Sequence, residues 1–234
     1  MKSFIPNGLT LANLACGLLA VTSIFSGDFI TAAWLVGFSL VFDFLDGFTA
    51  RLLGVHSELG KQLDSLADLV TFGVAPGFLM FKLFRIAMQG GEPIPEFLPY
   101  IALLIPLFSA LRLAKFNIDT RQTDFFIGMP TPANAIFIFS IALIALSGSS
   151  ETVEDILLHP FFLTAITLLT SFLLVAELPL MSLKVKNTSW RENRGRVILL
   201  VGIGLLLLIF RFRALLFIIP LYLVLSLIFK PHHK

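Results

Sequence analysis

The chain has 234 residues, 57% of them hydrophobic and only 14% charged, against about 25% charged in an ordinary soluble domain. A net charge of +2 with no basic run interleaved with aromatics excludes a nucleic-acid surface. A single cysteine, Cys16, excludes an intramolecular disulfide. Apolar stretches about as long as a bilayer is thick, with 25 phenylalanines among them, predict an all-α, polytopic transmembrane helix bundle.

Hydrophobic runs broken by charged or Gly/Pro-containing segments predict eight helices, near 8–26, 29–53, 59–88, 96–116, 131–148, 160–181, 196–209 and 214–229. The first begins after Lys2 with the polar set Asn7, Thr10 and Asn13, and no small-residue cleavage site follows, so it reads as a retained helix. The second and third are longer than a bilayer needs, which puts their charged ends, Arg51 to Gln62, in the aqueous interface. The polar stretch 182–196 reads as a loop facing lipid headgroups. No repeat or long linker divides the chain, so 1–181 and the C-terminal 182–234, loop plus two helices, are expected to be one domain.

Orientation follows from the cations, which are enriched on cytoplasmic flanks. With both termini cytoplasmic, only Lys82, Arg85, Arg211 and Arg213 of the 17 lysines and arginines fall on the far side, where Glu92, Glu96, Glu151, Glu154 and Asp155 gather. The expectation is an integral protein of the cell membrane with its active site facing the cytoplasm.

Chemistry concentrates in DFLDGFTARLLGVHSELGKQLDSLAD, residues 43–68. On a helix, Asp43, Asp46, Gly47 and Ala50 share one face, and on the next helix Gly60, Asp64 and Asp68 repeat the arrangement. Antiparallel helices joined by a turn around Gly54 to Ser57 can bring the four carboxylates to one site. Four carboxylates that close cannot all stay ionised in a low-dielectric site without a cation. Oxygen-only ligands favour Mg²⁺, Mn²⁺ or Ca²⁺ over zinc, and two ions about 4 Å apart would suit an in-line displacement at phosphorus. Small residues on the same faces leave room for a ligand against the backbone, although the same pattern also serves close helix packing. Arg51 can offset phosphate charge.

These residues resemble the CDP-alcohol phosphotransferase family, whose pattern D-x-x-D-G-x-x-A-R, eight residues, G-x-x-x-D-x-x-x-D is matched without a gap by Asp43, Asp46, Gly47, Ala50, Arg51, Gly60, Asp64 and Asp68. The resemblance implies a six-helix membrane core, commonly homodimeric, that displaces CMP from a CDP-lipid with an alcohol. It implies Asp43, Asp46 and Asp64 as metal ligands and Asp68 as ligand and catalytic base. Gly47, Ala50, Arg51 and Gly60 would line the CDP site, joined by Asn7, Thr10 and Asn13 of IPNGLTLANLACG, which match the family's first-helix pattern; simple capping or solvation of that helix is the other reading. The last two helices are an extension of the family core.

Three later runs, TFGVAPG (71–77), LRLAKFN (111–117) and FFIGMPTPANA (125–135), resemble the phosphatidylserine synthase branch, with Lys115 where that branch more usually has arginine. The resemblance implies L-serine as acceptor and a CDP-lipid, diacyl or archaeol, as donor. Arg112 and Lys115, one turn apart, with Asn117 close by, are candidates for the serine carboxylate; positive-inside anchoring is the bland alternative. Rival readings are glycerol 3-phosphate or inositol phosphate as acceptor and, from another class, a cation transporter. Against transport, the acids sit at facing ends of one helical pair instead of spanning the membrane depth. His56, beside the motif, is expected to be an exposed turn residue.

Overall fold

In the computed structural model the described residues are 4–55, 57–89, 95–119, 126–148, 150–181 and 190–229, with backbone only at 126, 190–192 and 212. His56 and the segment 182–189 lie outside them. The fold is an all-α bundle, as expected. Helix α1 (Phe4–Ser26) packs antiparallel on α2 (Phe29–Leu53) across a short turn, where Gly27 takes φ +82° and the Asp28 side chain caps α2 by accepting from Thr31 N at 3.0 Å. The buried stripe of α1, Pro6, Thr10, Asn13, Gly17, Ala20 and Ile24, recurs every three or four residues. It is polar at the end near the aspartates and apolar beyond.

The third predicted helix is continuous from Glu58 to Gln89 but is not uniform. Helix α3 (Glu58–Asp68) passes into a π-helical turn, Leu69–Val74, and then α4 (Ala75–Gln89). The widened turn begins directly after Asp68, a placement typical of functional sites. It is clamped on both sides. A Cβ on Gly17 would stand 2.9 Å from the Thr71 Cα, and one on Gly73 would stand 2.9 Å from the Ser109 Cβ. This segment forms the centre of the bundle: Phe72, Leu79, Met80, Leu83 and Phe84 are wholly buried.

The fourth predicted helix starts as a 3-10 turn, Leu98–Leu103, and continues as α5 (Leu104–Ile118). Helix α6 (Thr131–Ala145) follows. The acids Glu151, Glu154 and Asp155, read as loop, lie instead on a short helix α7 (Glu151–Leu158), started by Ser150 and bent 55° from α8 (Pro160–Val175) at Pro160. Helix α8 stops six residues earlier than expected. The chain leaves it at Ala176, and β2 (Pro179–Leu180) pairs antiparallel with β1 (Phe126–Ile127). The loop expected over 182–196 also ends early, because α9 (Trp190–Phe210) already begins at residue 190. A 3-10 turn, Arg211–Arg213, leads to α10 (Ala214–Ile228).

Among the described residues five helices are long and apolar enough to cross a membrane, six if the bent α7–α8 pair is one span, with α6 and α10 as shorter apolar helices. Phe25, Trp34, Phe38, Phe44, Leu208 and many other large apolar side chains are exposed on the outer faces. That surface suits hydrocarbon as solvent, so the protein is an integral membrane protein. The gradient is steep: 56% of the apolar window in Glu58–Gln89 is buried, against 11% in α9.

Candidate active site

Each acidic helix is positioned by its own ends. Gly54, at φ +63°, closes α2 with its N–H on the carbonyls of Ala50 and Arg51, and the Ser57 hydroxyl opens α3 by accepting from Gly60 N at 3.0 Å. The turn reverses the chain within a few residues and sets the two acidic faces against α1.

Carboxylate oxygens of Asp43, Asp64 and Asp68 lie within 4.8 Å of one another. Asp46 lies within electrostatic reach of Asp64 and Asp68, but its Oδ2 accepts from the Thr10 hydroxyl at 2.7 Å. Asp68 Oδ1 accepts from Asn13 Nδ2 at 3.1 Å. Asn13 is itself fixed, since its carbonyl accepts from the hydroxyls of Ser39 and Thr71 at 3.2 Å each. Three of the four expected ligands thus converge, and the fourth, Asp46, has its Oδ2 engaged by α1.

Clustered carboxylates repel one another unless a cation or protons intervene. The cluster contains a buried atom, Asp64 Oδ1, without any hydrogen-bond partner, and Arg112, within electrostatic reach of Asp68, offsets at most one of the three charges. Such an arrangement of hard oxygen donors fits a divalent cation. The residues present therefore suit a metal centre.

A cleft of about 420 Å³ opens beside the trio. Asn7, Thr10, Gly47, Ala50 and Gly60 line it with Asp46 and Asp64. The cleft depends on the small residues: a Cβ at Gly60 would lie 2.9 Å from Ser57 Oγ and 3.4 Å from Asn7 Oδ1. Two predicted members stand outside the lining. Asn13 lies deeper, on Asp68, and Arg51 is exposed with its guanidinium beside Gly47, 3.4 Å from where a Cβ would be.

The predicted acceptor residues separate. Arg112 is buried, within electrostatic reach of Asp68, and stacks over Phe116 at 5.7 Å. With Lys115 it lines a second, small cavity. Asn117 faces elsewhere: its Nδ2 donates to Ser65 Oγ at 2.8 Å, and its carbonyl accepts from Lys61 Nζ at 2.6 Å, tying α5 to α3. Sequence reasoning also passed over Asn134. It is fully buried on α6, against the π-helical turn, and neither amide atom has a hydrogen-bond partner. A polar residue inside an otherwise apolar helix, four residues after Pro130, was the available signal.

A membrane-embedded trio of carboxylates, an adjoining cleft floored by glycine and alanine, and the spacing that produces both define the class. The chain belongs to the CDP-alcohol phosphatidyltransferase family, whose sequence model matches residues 3–170. It is 39% identical over 134 residues to the CDP-diacylglycerol–serine O-phosphatidyltransferase of Bacillus subtilis, covering 56% of this chain and 70% of that protein. Relatives of the same name from Helicobacter pylori (37% over 146 residues, 59% and 57% covered) and Methanocaldococcus jannaschii (35% over 134 residues, 57% and 58% covered) are similar to it as well. The matched stretch is thus less than two thirds of the length of those two proteins. Helices α9 and α10 lie beyond the residues that the family model matches.

Proposed function

We propose that the chain transfers a phosphatidyl group from CDP-diacylglycerol, or its archaeol analogue, to the hydroxyl of L-serine, giving phosphatidylserine and CMP. The observation that carries this reading is the convergence of Asp43, Asp64 and Asp68 beside a cleft lined by five of the motif-derived residues. The relatives' printed names supply the acceptor. The site is proposed to face the cytoplasm, both termini included, in a homodimer whose core is residues 1–181, with 182–234 part of the same domain.

Asp43, Asp64 and Asp68, with Asp46 alongside, would hold the cation. A divalent ion there, Mg²⁺ or Mn²⁺ with Ca²⁺ also compatible with the oxygen set, supplies neutralisation of diphosphate charge. Gly47, Ala50 and Gly60 admit the CDP moiety close to the backbone, while Asn7 and Thr10 offer it polar contacts and Arg51, from outside the cleft, offsets its charge. Asp68, held in orientation by Asn13, accepts the serine hydroxyl proton. The serine oxygen forms a bond to the lipid-proximal phosphorus as the phosphorus–oxygen bond to CMP breaks, and CMP leaves with that electron pair.

The test is direct. Purified protein in vesicles containing CDP-diacylglycerol is given labelled L-serine, glycerol 3-phosphate or inositol phosphate, with and without Mn²⁺. Metal-dependent labelling of lipid by serine is expected; CMP release only with a phosphorylated acceptor would overturn the reading.

A further inference from the structure

The second cavity is built by a chain crossing that the helix pattern does not announce. Gly128, at φ +76°, passes so close to the end of α8 that a Cβ would lie 2.7 Å from the Leu174 carbonyl oxygen and 3.0 Å from that of Ala176. Gly128 N donates to Leu178 O at 3.0 Å and Met129 N to Leu173 O at 2.9 Å, and the β1–β2 pair continues the clasp. The clasp carries Glu177 into the wall of a cavity whose other charged members, on α5 and just after it, are Arg112, Lys115 and Asp119. Ile127 and Leu174 complete it.

Of these groups, Arg112 is the one held in the protein interior. Arg112 is only 7% exposed, and its Nε is buried with no hydrogen-bond partner. A buried guanidinium left so is costly unless a ligand completes its bonding. The cavity measures about 30 Å³, room for about two water-sized groups. That space admits one small charged group and part of a second, so the rest of any acceptor must lie outside it. Arg112 also lies within electrostatic reach of Asp68, which brings this cavity close to the carboxylate trio.

We propose that Arg112 and Glu177 form a subsite for the two charged groups of a small amino acid, Arg112 taking the α-carboxylate and Glu177 the α-ammonium. The subsite rests on the serine reading and deepens it: Glu177 becomes the residue that separates an amino-acid acceptor from a polyol phosphate. Opposite charges on opposite walls match a zwitterion, and a doubly anionic phosphate would meet the Glu177 carboxylate as repulsion. The hydroxymethyl group of serine would then extend toward Asp68.

The experiment compares L-serine with 3-hydroxypropionate, which keeps the hydroxyl and carboxylate but lacks the ammonium. Wild-type kcat/KM is expected to favour serine by at least about 10-fold, the loss of one hydrogen bond to a charged group; equal use of both acceptors overturns the proposal without any variant. Glu177 is exposed at the mouth of the cavity, so in Glu177→Gln the preference is expected to fall about 5-fold, chiefly through the KM for serine, with partial recovery in Glu177→Asp. Mn²⁺-dependent CMP binding reports that each variant is folded, and if Glu177→Gln lacks it the ratio is read from Glu177→Asp alone. A preference within twofold of wild type in a variant that binds CMP sinks the assignment. Wild-type protein that labels lipid only from a phosphorylated acceptor is a separate result, which removes the serine reading itself.

Discussion

The two sides of the site are built by different means. The donor side comes from one contiguous run, two helices joined by a four-residue turn, and α1 locks it with Thr10 on Asp46 and Asn13 on Asp68. The acceptor side is assembled from α5, β1 and the end of α8, which are up to 65 positions apart in the chain, Arg112 to Glu177. Arg112, its buried cation, has no such lock on its Nε. A site that must grip the same diphosphate and metal in every cycle gains from preorganised oxygens. A site that must admit and orient a small acceptor can leave its charges to be completed by the ligand.

The strongest way to break this contrast is to disable the donor side. Asp68→Asn removes the proposed base and one ligand oxygen's charge, and CMP release is expected to fall by about 10³-fold. A variant that retains wild-type CMP release would leave a scaffold in place of an enzyme. Asn13→Ala is next: it removes the donor that orients Asp68, at a cost of about 10- to 100-fold in kcat with the KM for serine little changed. A serine-specific KM effect from Asn13→Ala would erase the distinction between the two sides.

Gly128→Ala attacks the acceptor side through its backbone. An L-residue at φ +76° with a carbonyl oxygen 2.7 Å from its Cβ must shift the clasp, which is expected to lower stability by about 1–3 kcal/mol. The KM for serine should rise while Mn²⁺-dependent CMP binding persists, and thermal unfolding with paired kinetics reads both. Thr10→Val is the donor-side counterpart of similar or smaller size: loss of the 2.7 Å bond to Asp46 is expected to raise the KM for CDP-lipid by about 10-fold and leave that for serine in place.

The same division explains what could be read from the amino-acid order. Local rules found the acidic faces, the Gly54–Ser57 turn and all the long helices, because helical spacing alone brings Asp64 and Asp68 to one face. Those rules overran at Val175 and missed the clasp, since the exit of α8 is decided by pairing with residues 126–129 and not by its own propensity. They also treated Asp46 as equal to its neighbours. Only the approach of Thr10 from another helix distinguishes it, and spacing within 43–68 contains no information about that contact. Asn117 illustrates the converse: proximity in sequence to Arg112 suggested a shared site, but the helix end turns it toward Ser65.

The smallest expected effect concerns Lys115, the position where the family branch more usually carries arginine. Its side chain is exposed at the rim of the acceptor cavity, whereas Arg112 is buried in it. An exposed cation interacts through water and salt, so its charge is worth about 0–1 kcal/mol. Lys115→Met is therefore expected to raise the KM for serine by only a few-fold, an effect that shrinks further as ionic strength increases past the point where the Debye length falls below about 8 Å. Lys115→Arg should restore or slightly improve it, because a planar guanidinium can hold a carboxylate with two parallel bonds. Arg112→Lys runs the opposite way, since the buried position depends on that fork and the ammonium cannot replace it. If the two lysine–arginine exchanges cost the same, burial does not rank the cations of this cavity, and the acceptor side is a diffuse positive surface instead of a directed pair.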